Sequence, residues 1–273
     1  MRDRIRRELG SRLPADERPV MVGKAVIVRR QDHGQFASIT RMIRHYAEPE
    51  GWVIFDHRHK AAVGGDDQIM LIDHLIYRAP DLADAVADAE ERFGVRAHAG
   101  GKHIGLGTHN ALLALGPRTY LEIIAPDPGQ PQPSVTRPFG LDGVNRGGLV
   151  GWAIACQDID AAVADARRCG YDPGEVAEMQ RAEPTGLLLR WRLTVNVVAG
   201  GLVPFLISWG DTEHPATSAP RGLTLESFHL EHPDPASLVP LLGALGADTQ
   251  IRPAAAPALV AHLSGPNGST VLQ

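Results

Sequence analysis

The sequence predicts an α+β fold built from tandem β-α-β-β-β modules. Three strings, RAPDLADAV, ACQDIDAAV and EHPDPASLV, each leave an apolar strand, place an aspartate at a turn and enter a helical pattern. Their starts lie about 75 residues apart, and 44% of the 273 residues are hydrophobic, which is typical of a folded globular chain. The repetition therefore indicates repeated modules before any residue is assigned a role.

The first module begins at Met70. The string MLIDHLIYRAP is typical of a strand, and DLADAVADAEERF is typical of an amphipathic helix whose apolar stripe is Leu82, Val86, Ala89 and Phe93. Asp81 is placed to cap this helix and Gly94 to end it. A short strand is expected near Val95–His98, and NALLALG and TYLEIIAP are two further strands joined by the turn Gly116-Pro117-Arg118.

The same pattern returns twice. The second module has the strand GLVGWAIACQ, the helix DIDAAVADARRCG and the strands GLLLRWRLTV and LVPFLISWG. A third copy has the strand LTLESFHLEHP, the helix PASLVPLLGALG and the strands APALVAHLSG and STVLQ. The linkers PDPGQPQPSVTRPFGLDG and DTEHPATSAPRG separate the copies, and the first is long enough to cross over a cleft. We therefore predict paired modules at residues 70–210 and a third, partial module at 222–273.

Residues 1–69 are less clearly specified. The strings KAVIVRR and GWVIFDH are typical of strands, and ASITRMIRHYA between them is typical of a helix. This extension is either a small βαβ-like appendage or a disordered segment, or even upstream sequence before a start at Met70, and the sequence leaves these alternatives open. Its histidines lack acidic or thiolate partners at metal-ligand spacing, which favours solvated side chains at His33, His45, His57 and His59.

Composition excludes several classes of partner. A net charge of −5 and an aromatic content of 5% offer little to a nucleic acid. Cys156 and Cys169 are the two cysteines, too few for a disulfide framework, which indicates a reducing compartment. No apolar run reaches the ~20 residues that cross a bilayer, and the N-terminus lacks a secretory apolar core. We expect a cytoplasmic protein that binds neither nucleic acid nor membrane.

Several strings together resemble the vicinal oxygen chelate superfamily, and within it the glyoxalase-like domain family. They are IDHLIY, GTHNALLALG, YLEIIAP, GWAIACQDIDAAV, RAEPTGLLLRWRL and LVPFLISW followed by HP, and the resemblance covers about residues 70–273. It implies that two modules pack side by side and that their curved mixed sheets form a partly open barrel around a pocket. It also implies a divalent metal, bound by the first and fourth strands of each module. The match falls on His74 and Glu122 as metal ligands.

Strand alternation agrees with this match. Ile72, His74 and Ile76 share one side of their strand, as do the residues Tyr120, Glu122 and Ile124 of theirs. A carboxylate buried without a partner costs several kcal/mol or is neutralised, and a metal or a protonated imidazole would satisfy it. Imidazole and carboxylate ligands suit Zn, Fe, Ni or Mn without selecting one. The alternative is a hydrogen-bonded polar pair in the core.

The second module does not repeat these ligands. Laying its strings on those of the first puts Gly151 opposite His74 and Phe205 roughly at the place of Glu122. Neither residue binds a metal, so the four-ligand site of glyoxalase I is not intact. A third ligand would have to come from another histidine, and the candidates are His103, His109, His214 and His229.

Other residues are candidates for holding a substrate. The string GGKHIGLGTHN is a glycine-rich loop without the spacing of a phosphate-binding or dinucleotide motif. Its His103, His109 and Asn110 would bind a carbonyl or carboxylate group, or His103 is an exposed side chain of a glycine-rich hairpin. The resemblance makes Arg181 the residue that binds a substrate anion, for which a guanidinium is well suited. Three aromatic residues are interpreted as pocket wall or core, namely Trp191, Phe205 and Trp209.

Three functions remain open. The first is a metal-dependent lyase or isomerase that acts on a small oxygen-bearing or acidic metabolite, with Glu122 or His109 as the base. The second is a dioxygenase whose iron is bound by two histidines and one carboxylate. The third is a metal-free protein that binds or sequesters a small molecule. The third module pairs with the N-terminal segment, forms a homodimer with a second subunit or is purely structural.

Overall fold

A computed structural model describes residues 17–22, 25–30, 41–44, 72–182, 186, 188–195 and 199–273. The chain divides into two compact units, Met1–Ile69 and Met70–Gln273. Within the described ranges, no helix has the length and apolar character needed to span a membrane.

The first unit contains a three-stranded antiparallel sheet in the order β1-β2-β3, formed by Glu17–Val22, Ala25–Arg30 and Arg41–Arg44. Strand β2 confirms the strand predicted at KAVIVRR. The helix predicted at ASITRMIRHYA is wrong at Arg41–Arg44, because Met42 and Ile43 pair with β2 and their backbone extends along it. The string GWVIFDH and the four histidines named above lie outside the described residues.

A closed barrel of eight strands is the centre of the second unit. The first module supplies strands β4 to β7 and helix α1, at Ile72–Arg78 (β4), Leu82–Phe93 (α1), His98–His103 (β5), Thr108–Gly116 (β6) and Thr119–Pro126 (β7). The second supplies strands β8 to β11 and helix α2, at Gly148–Ala155 (β8), Ile159–Arg168 (α2), Val176–Ala182 (β9), Leu188–Thr194 (β10) and Phe205–Ser208 (β11). The predicted α+β fold of tandem modules with curved sheets is confirmed.

The strand order is β10-β11-β8-β4-β7-β6-β5-β9, and a single pair, Lys102 with Ala182, closes the ring. The first strands of the two modules, β4 and β8, run antiparallel side by side. Each lies parallel to the fourth strand of its own module, so the two halves face each other across the β4–β8 seam. Strand β9 was not recognised in the sequence.

The helices follow the predicted signals. Asp81 caps α1 by accepting a hydrogen bond from the backbone N–H of Asp84 at 3.0 Å, and Gly94 ends it with φ 74°. Its buried face contains the predicted Val86, Ala89 and Phe93. These side chains cover the outside of the barrel, which leaves the interior to the strands.

The third segment builds a separate four-stranded sheet from Thr224–His232 (β12), Gln250–Pro253 (β13), Ala258–Gly265 (β14) and Gly268–Leu272 (β15), with Val239–Ala244 as helix α3. Its order, β13-β12-β14-β15, places the first strand next to the second instead of the fourth. The third segment has the predicted β-α-β-β-β sequence of elements, but its strand order differs from that of the first two modules. The six-residue α3 is short, and β13 returns directly alongside β12. This sheet packs leucines such as Leu230 and Leu259 into the core outside the barrel.

Candidate functional site

The barrel encloses a cavity of about 270 Å³. Its histidine, amide and charged side chains are His74, His103, Asn110 and Glu122 of the first module and Arg181 on β9 of the second. Its apolar wall comes mainly from the second module and the linker before it: Phe139, Met179, Trp191, Phe205 and Trp209. A mostly apolar cavity with a few convergent polar groups is the usual form of a small-molecule site.

A β-bulge brings Asp73 and His74 together. In the pairing of β4 with β8, Ile72 lies opposite Ile154 and His74 opposite Ala153, so Asp73 is the extra residue. The bulge lets the neighbouring side chains meet, and His74 Nδ1 lies 2.7 Å from Asp73 Oδ1. Because the carboxylate accepts, Nδ1 carries the proton and Nε2 is directed toward Glu122.

Asp73 is fully buried yet well satisfied. Its Oδ2 accepts a hydrogen bond from Trp209 Nε1 at 3.0 Å and lies 3.1 Å from His214 Nε2. Burial acts to raise the pKa of Asp73, but the hydrogen bonds and charges of His214 and His74 outweigh it and lower the pKa to about 2. Asp73 therefore stays ionised and fixes the orientation of His74, whose ring also stacks on Tyr120 at 4.6 Å.

Glu122 lies between two imidazoles. Asn110 Nδ2 donates a hydrogen bond to Glu122 Oε1 at 2.6 Å. His74 Nε2 is 3.7 Å from Oε2, and His103 Nε2 is 3.9 Å from Oε1. Burial lowers the pKa of His103, although the charge of Glu122 acts in the other direction, so His103 is neutral at neutral pH. One carboxylate oxygen is thus held by Asn110, and the other lies near His74 with no hydrogen bond from a described residue.

Arg181 places a buried cation in the same cavity. Its side chain is 3% exposed, and NH1 donates a hydrogen bond to the backbone carbonyl of Gly100. Among the described residues, no carboxylate forms an ion pair with it. A buried guanidinium is suited to a carboxylate or enolate oxygen of a ligand.

The predicted substrate-binding residues Asn110, Arg181, Trp191, Phe205 and Trp209 all line the cavity. The predicted base His109 does not. Strand β6 directs Thr108 and Asn110 into the cavity, so His109 between them points to the other face, with Nδ1 3.9 Å from Asp127 Oδ1. The expectation that His109 faces the substrate is therefore corrected.

The three other histidines that were candidates for a third metal ligand lie in different parts of the structure. His103 lines the cavity. His214 binds Asp73 from behind and accepts a backbone hydrogen bond from Ala216, so it supports the site without facing a ligand. His229 lies on β12, outside the barrel, with Nε2 3.6 Å from Glu231.

The strand register shows which residues of the second module stand at the positions of His74 and Glu122. Ile76 pairs with Glu122 across β4 and β7, and Ala153 pairs with Phe205 across β8 and β11. Laying ACQDIDAAV on RAPDLADAV makes Ala153 equivalent to Ile76 and Gly151 equivalent to His74. The pairing of β4 with β8 agrees, because Ile76 lies opposite Gly151 and Ala153 lies opposite His74. Phe205 therefore stands where the first module has Glu122, and Gly151 stands where it has His74.

The metal that the resemblance implies does not fit this donor set. His74 and Glu122 converge as predicted, but Glu122 Oε1 is bound by Asn110. In the described part of the chain, no group of three or more His, Cys, Asp or Glu side chains is arranged to hold a metal ion. Protein sites for Zn and iron use three or four ligands. In the described part of the chain, His74 and Glu122 thus form an acid–imidazole pair with no third ligand arranged beside them, for the iron-dioxygenase alternative as well.

Sequence reasoning missed Asp73 and the linker residue Phe139. Asp73 neighbours His74 in the chain, and regular strand alternation would direct it away from the cavity. Only the bulge, which depends on tertiary pairing, brings it to the same side. Phe139 lies in a Pro- and Gly-rich linker whose path over the cavity has no local signal.

Residues 72–246 match the family model described as a glyoxalase-like domain. No curated protein matches the sequence significantly. Among solved structures, a hypothetical protein from Staphylococcus aureus has a TM-score of 0.53 and 16% identity, covering 70% of this chain and 88% of that one. Methylmalonyl-CoA epimerase from Mycobacterium tuberculosis has a TM-score of 0.37 and 19% identity, covering 54% of this chain and 93% of that one.

Proposed function

The chain belongs to the glyoxalase-like domain family, which confirms the resemblance, and from that premise we propose that the barrel cavity is an active site. The proposed enzyme moves a proton on a small anionic metabolite, in a reaction of the isomerase or lyase type. A single observation carries the proposal: Glu122 is fixed through Oε1 by Asn110, and its Oε2 lies beside His74 in the cavity.

Glu122 has the geometry of a general base. Its Oε2 takes the proton from a carbon next to the carbonyl or carboxylate group of the substrate. The C–H electron pair moves into a C=C bond while an oxygen of that group gains negative charge, which the guanidinium of Arg181 stabilises. An isomerase returns the proton from Glu122 to carbon. A lyase instead expels a leaving group, with its electron pair, from the neighbouring carbon.

Asp73 and His74 are positioning and proton-handling groups for this step. The Asp73 carboxylate holds the Nδ1 proton of His74, so the imidazole faces Glu122 through Nε2. When Glu122 takes a proton, it loses the negative charge that faces His74. The His74 ring keeps its orientation, because Asp73 and Tyr120 hold it.

The cavity limits the size and character of the substrate. Its volume of about 270 Å³ lies just below the ~300–1,000 Å³ typical of pockets for drug-sized ligands. Trp191, Phe205 and Trp209 line much of it, while Arg181 supplies a positive charge. We therefore propose a small carboxylate with an apolar body as the substrate class.

Deuterium incorporation tests the proposal. The protein is incubated in D₂O with a panel of small carboxylic and 2-oxo acids, and exchange at carbon is followed by proton NMR. We expect the wild type to label at least one acid and Glu122→Gln to label none. Glu231→Gln, which changes a carboxylate on β12 outside the cavity, is the matched control and keeps the wild-type rate. Equal labelling by the Glu122→Gln variant would overturn the proposal.

A ligand-sequestering role is the second candidate. It is favoured by the apolar side chain at Phe205 and the missing side chain at Gly151, which remove half of the polar site. Trp191 and Trp209 report binding through their fluorescence, because both line the cavity. Ligand binding without any exchange at carbon, and with the same affinity in Glu122→Gln, would favour this role.

Metal analysis separates both candidates from the metal-dependent enzyme that the resemblance implies. Since the donor set holds no group of three ligands within the described residues, we expect less than about a tenth of an equivalent of Zn, Fe, Ni or Mn in protein purified without a metal-affinity tag. Exchange that appears only after one of these metals is added would contradict the metal-free proposal.

A further inference from the structure

The linker between the two modules is fixed over the cavity. We call residues 127–147 the strap. Arg137 Nε donates a hydrogen bond to the carbonyl of Gly107 at 3.0 Å, and its NH1 binds Asp142 at 2.6 Å. At the start of the strap, Gln130 Nε2 donates to the carbonyl of Thr108 at 3.0 Å. The strap is thus anchored to the turn between β5 and β6, beside the cavity.

The strap places Phe139 in the cavity wall at the cost of backbone strain. Its φ is 58°, the only positive φ of a non-glycine residue in the described ranges. Arg78 NH1 donates a hydrogen bond to the Phe139 carbonyl at 3.2 Å, which helps to hold this conformation. Residues held in the left-handed region cluster at functional sites, where the surrounding structure compensates the strain.

The ring of Phe139 covers the second module's half of the seam. A Cβ added at Gly151 would lie 3.4 Å from Phe139 Cε1 and 3.5 Å from Ile76 Cδ1. The same ring lies 6.3 Å from the ring of Phe205. Gly151 and Phe205 are the positions equivalent to His74 and Glu122, so Phe139 lies where side chains of a second ligand pair would extend.

We infer that Phe139 is a specificity-determining residue that fills half of the family's site and converts it into an apolar wall. The cavity then takes a ligand by one polar end, at Glu122 and Arg181, and stops its apolar end against Phe139. This inference deepens the proposed function, because it limits the length of the substrate's apolar part. It rests on the proposed function only in assuming that the substrate's polar group binds at the other end of the cavity.

Chain-length selectivity tests the inference. The affinity of a series of linear monocarboxylates, from butanoate to dodecanoate, is measured by tryptophan fluorescence for wild type, Phe139→Ala and Val135→Ala. We expect Phe139→Ala to move the tightest binding to longer acids, with a gain of about fourfold for each additional buried CH₂. Val135→Ala is the matched control, because Val135 lies on the same strap at 56% exposure and does not line the cavity. An unchanged length profile in Phe139→Ala would overturn the inference.

Rebuilding the second ligand pair gives a test that does not depend on catalysis or on carboxylate binding. Mn²⁺ binding is measured by electron paramagnetic resonance for the double variant Gly151→His/Phe205→Glu and for the triple variant that adds Phe139→Ala. We expect the triple variant to bind about one Mn²⁺ and the double variant to bind at least about tenfold more weakly. Equal binding by the two variants, or no binding by a folded triple variant, contradicts the inference. If the triple variant fails to fold, the length profile decides alone.

The two tests also separate this inference from the proposed function. Loss of exchange in Glu122→Gln concerns the polar end of the cavity and does not involve Phe139. A normal Glu122 result with an unchanged length profile rejects only the inference. A failed exchange test combined with the predicted Mn²⁺ difference rejects only the proposed function.

Discussion

The first and second modules place equivalent strands on either side of the β4–β8 seam, but their side chains differ in kind. In the first module, β4 and β7 present His74 and Glu122 to the cavity. In the second, β8 and β11 present Gly151 and Phe205 at the same register positions. At these positions the first module carries an imidazole and a carboxylate, and the second carries an apolar surface completed by Phe139. The charged side chain that the second module adds to the cavity is Arg181 on β9.

The difference shows how much support each polar side chain needs in a buried site. His74 is held by Asp73, which is itself satisfied by Trp209 and His214, and Glu122 is held by Asn110. Without such partners a buried carboxylate or imidazole is strongly destabilising. The second module contributes no such network at Gly151 and Phe205. Instead, its Trp209 lines the cavity and supports the polar half by donating a hydrogen bond to Asp73.

The largest difference in deuterium-exchange rate is expected between two substitutions, one in the first module's half of the cavity and one in the second module's half. Glu122→Gln removes the proposed base, and we expect it to lower the rate of exchange about 10²–10⁴-fold. Phe205→Leu keeps an apolar side chain at the equivalent position and lowers the rate less than about tenfold. Rates are compared on the acid that the wild type labels, with circular dichroism as the control for folding. Equal losses in the two variants would mean that the two halves do not differ in the way described.

The second prediction concerns the support of the polar half. Asp73→Asn leaves the donors of His74, Trp209 and His214 facing a neutral amide, and we expect a loss of about 3 kcal/mol in the free energy of unfolding. Urea denaturation at pH 7 measures it. A loss of less than about 0.5 kcal/mol would show that this network does not hold the site.

The fall in the free energy of unfolding at low pH tests the same carboxylate, Asp73. The pKa of Asp73 is about 2 in the folded protein and 3.8 in the reference state, so the unfolded chain binds the proton more readily. Asp73 therefore stabilises the fold above pH ~4 and loses that contribution, about 2 kcal/mol, as the pH falls toward 2. Urea denaturation between pH 5 and 2 should show a steeper loss for wild type than for Asp73→Asn. Parallel curves would contradict the assignment.

A smaller effect is expected at the strap. Phe139→Gly and Phe139→Ala remove the same ring, but glycine tolerates φ 58° and alanine does not. We expect the glycine variant to be more stable than the alanine variant by about 1 kcal/mol in thermal unfolding. A more stable alanine variant would mean that Phe139 does not hold a left-handed backbone.

The smallest effect is expected at His109. Because this side chain points away from the cavity, His109→Ala should leave the exchange rate within about twofold of wild type. A loss comparable to that of Glu122→Gln would restore His109 as the base.

Much of the fold and half of the site follow from sequence pattern. Apolar periodicity and caps such as Asp81 and Gly94 are local signals, so β4, α1, β6 and β7 are predictable. Alternation along β4 and β7 likewise predicts that His74 and Glu122 face inward. Two features depend on tertiary pairing and have no local signal: the bulge at Asp73 and the order of the third sheet. The path of the strap, which brings Phe139 over Gly151, is unpredictable for the same reason. Alternation along β6 places His109 and Asn110 on opposite faces, so the two could not both face the substrate.

The most direct test of the one-sided site is a crystal structure with the carboxylate that the wild type labels. We expect its carboxylate on Arg181, its exchanging carbon within about 3.5 Å of Glu122 Oε2 and its apolar end against Phe139. A ligand whose reacting carbon lies against Gly151 and Phe205, or a metal ion bonded to both His74 and Glu122, would contradict the account.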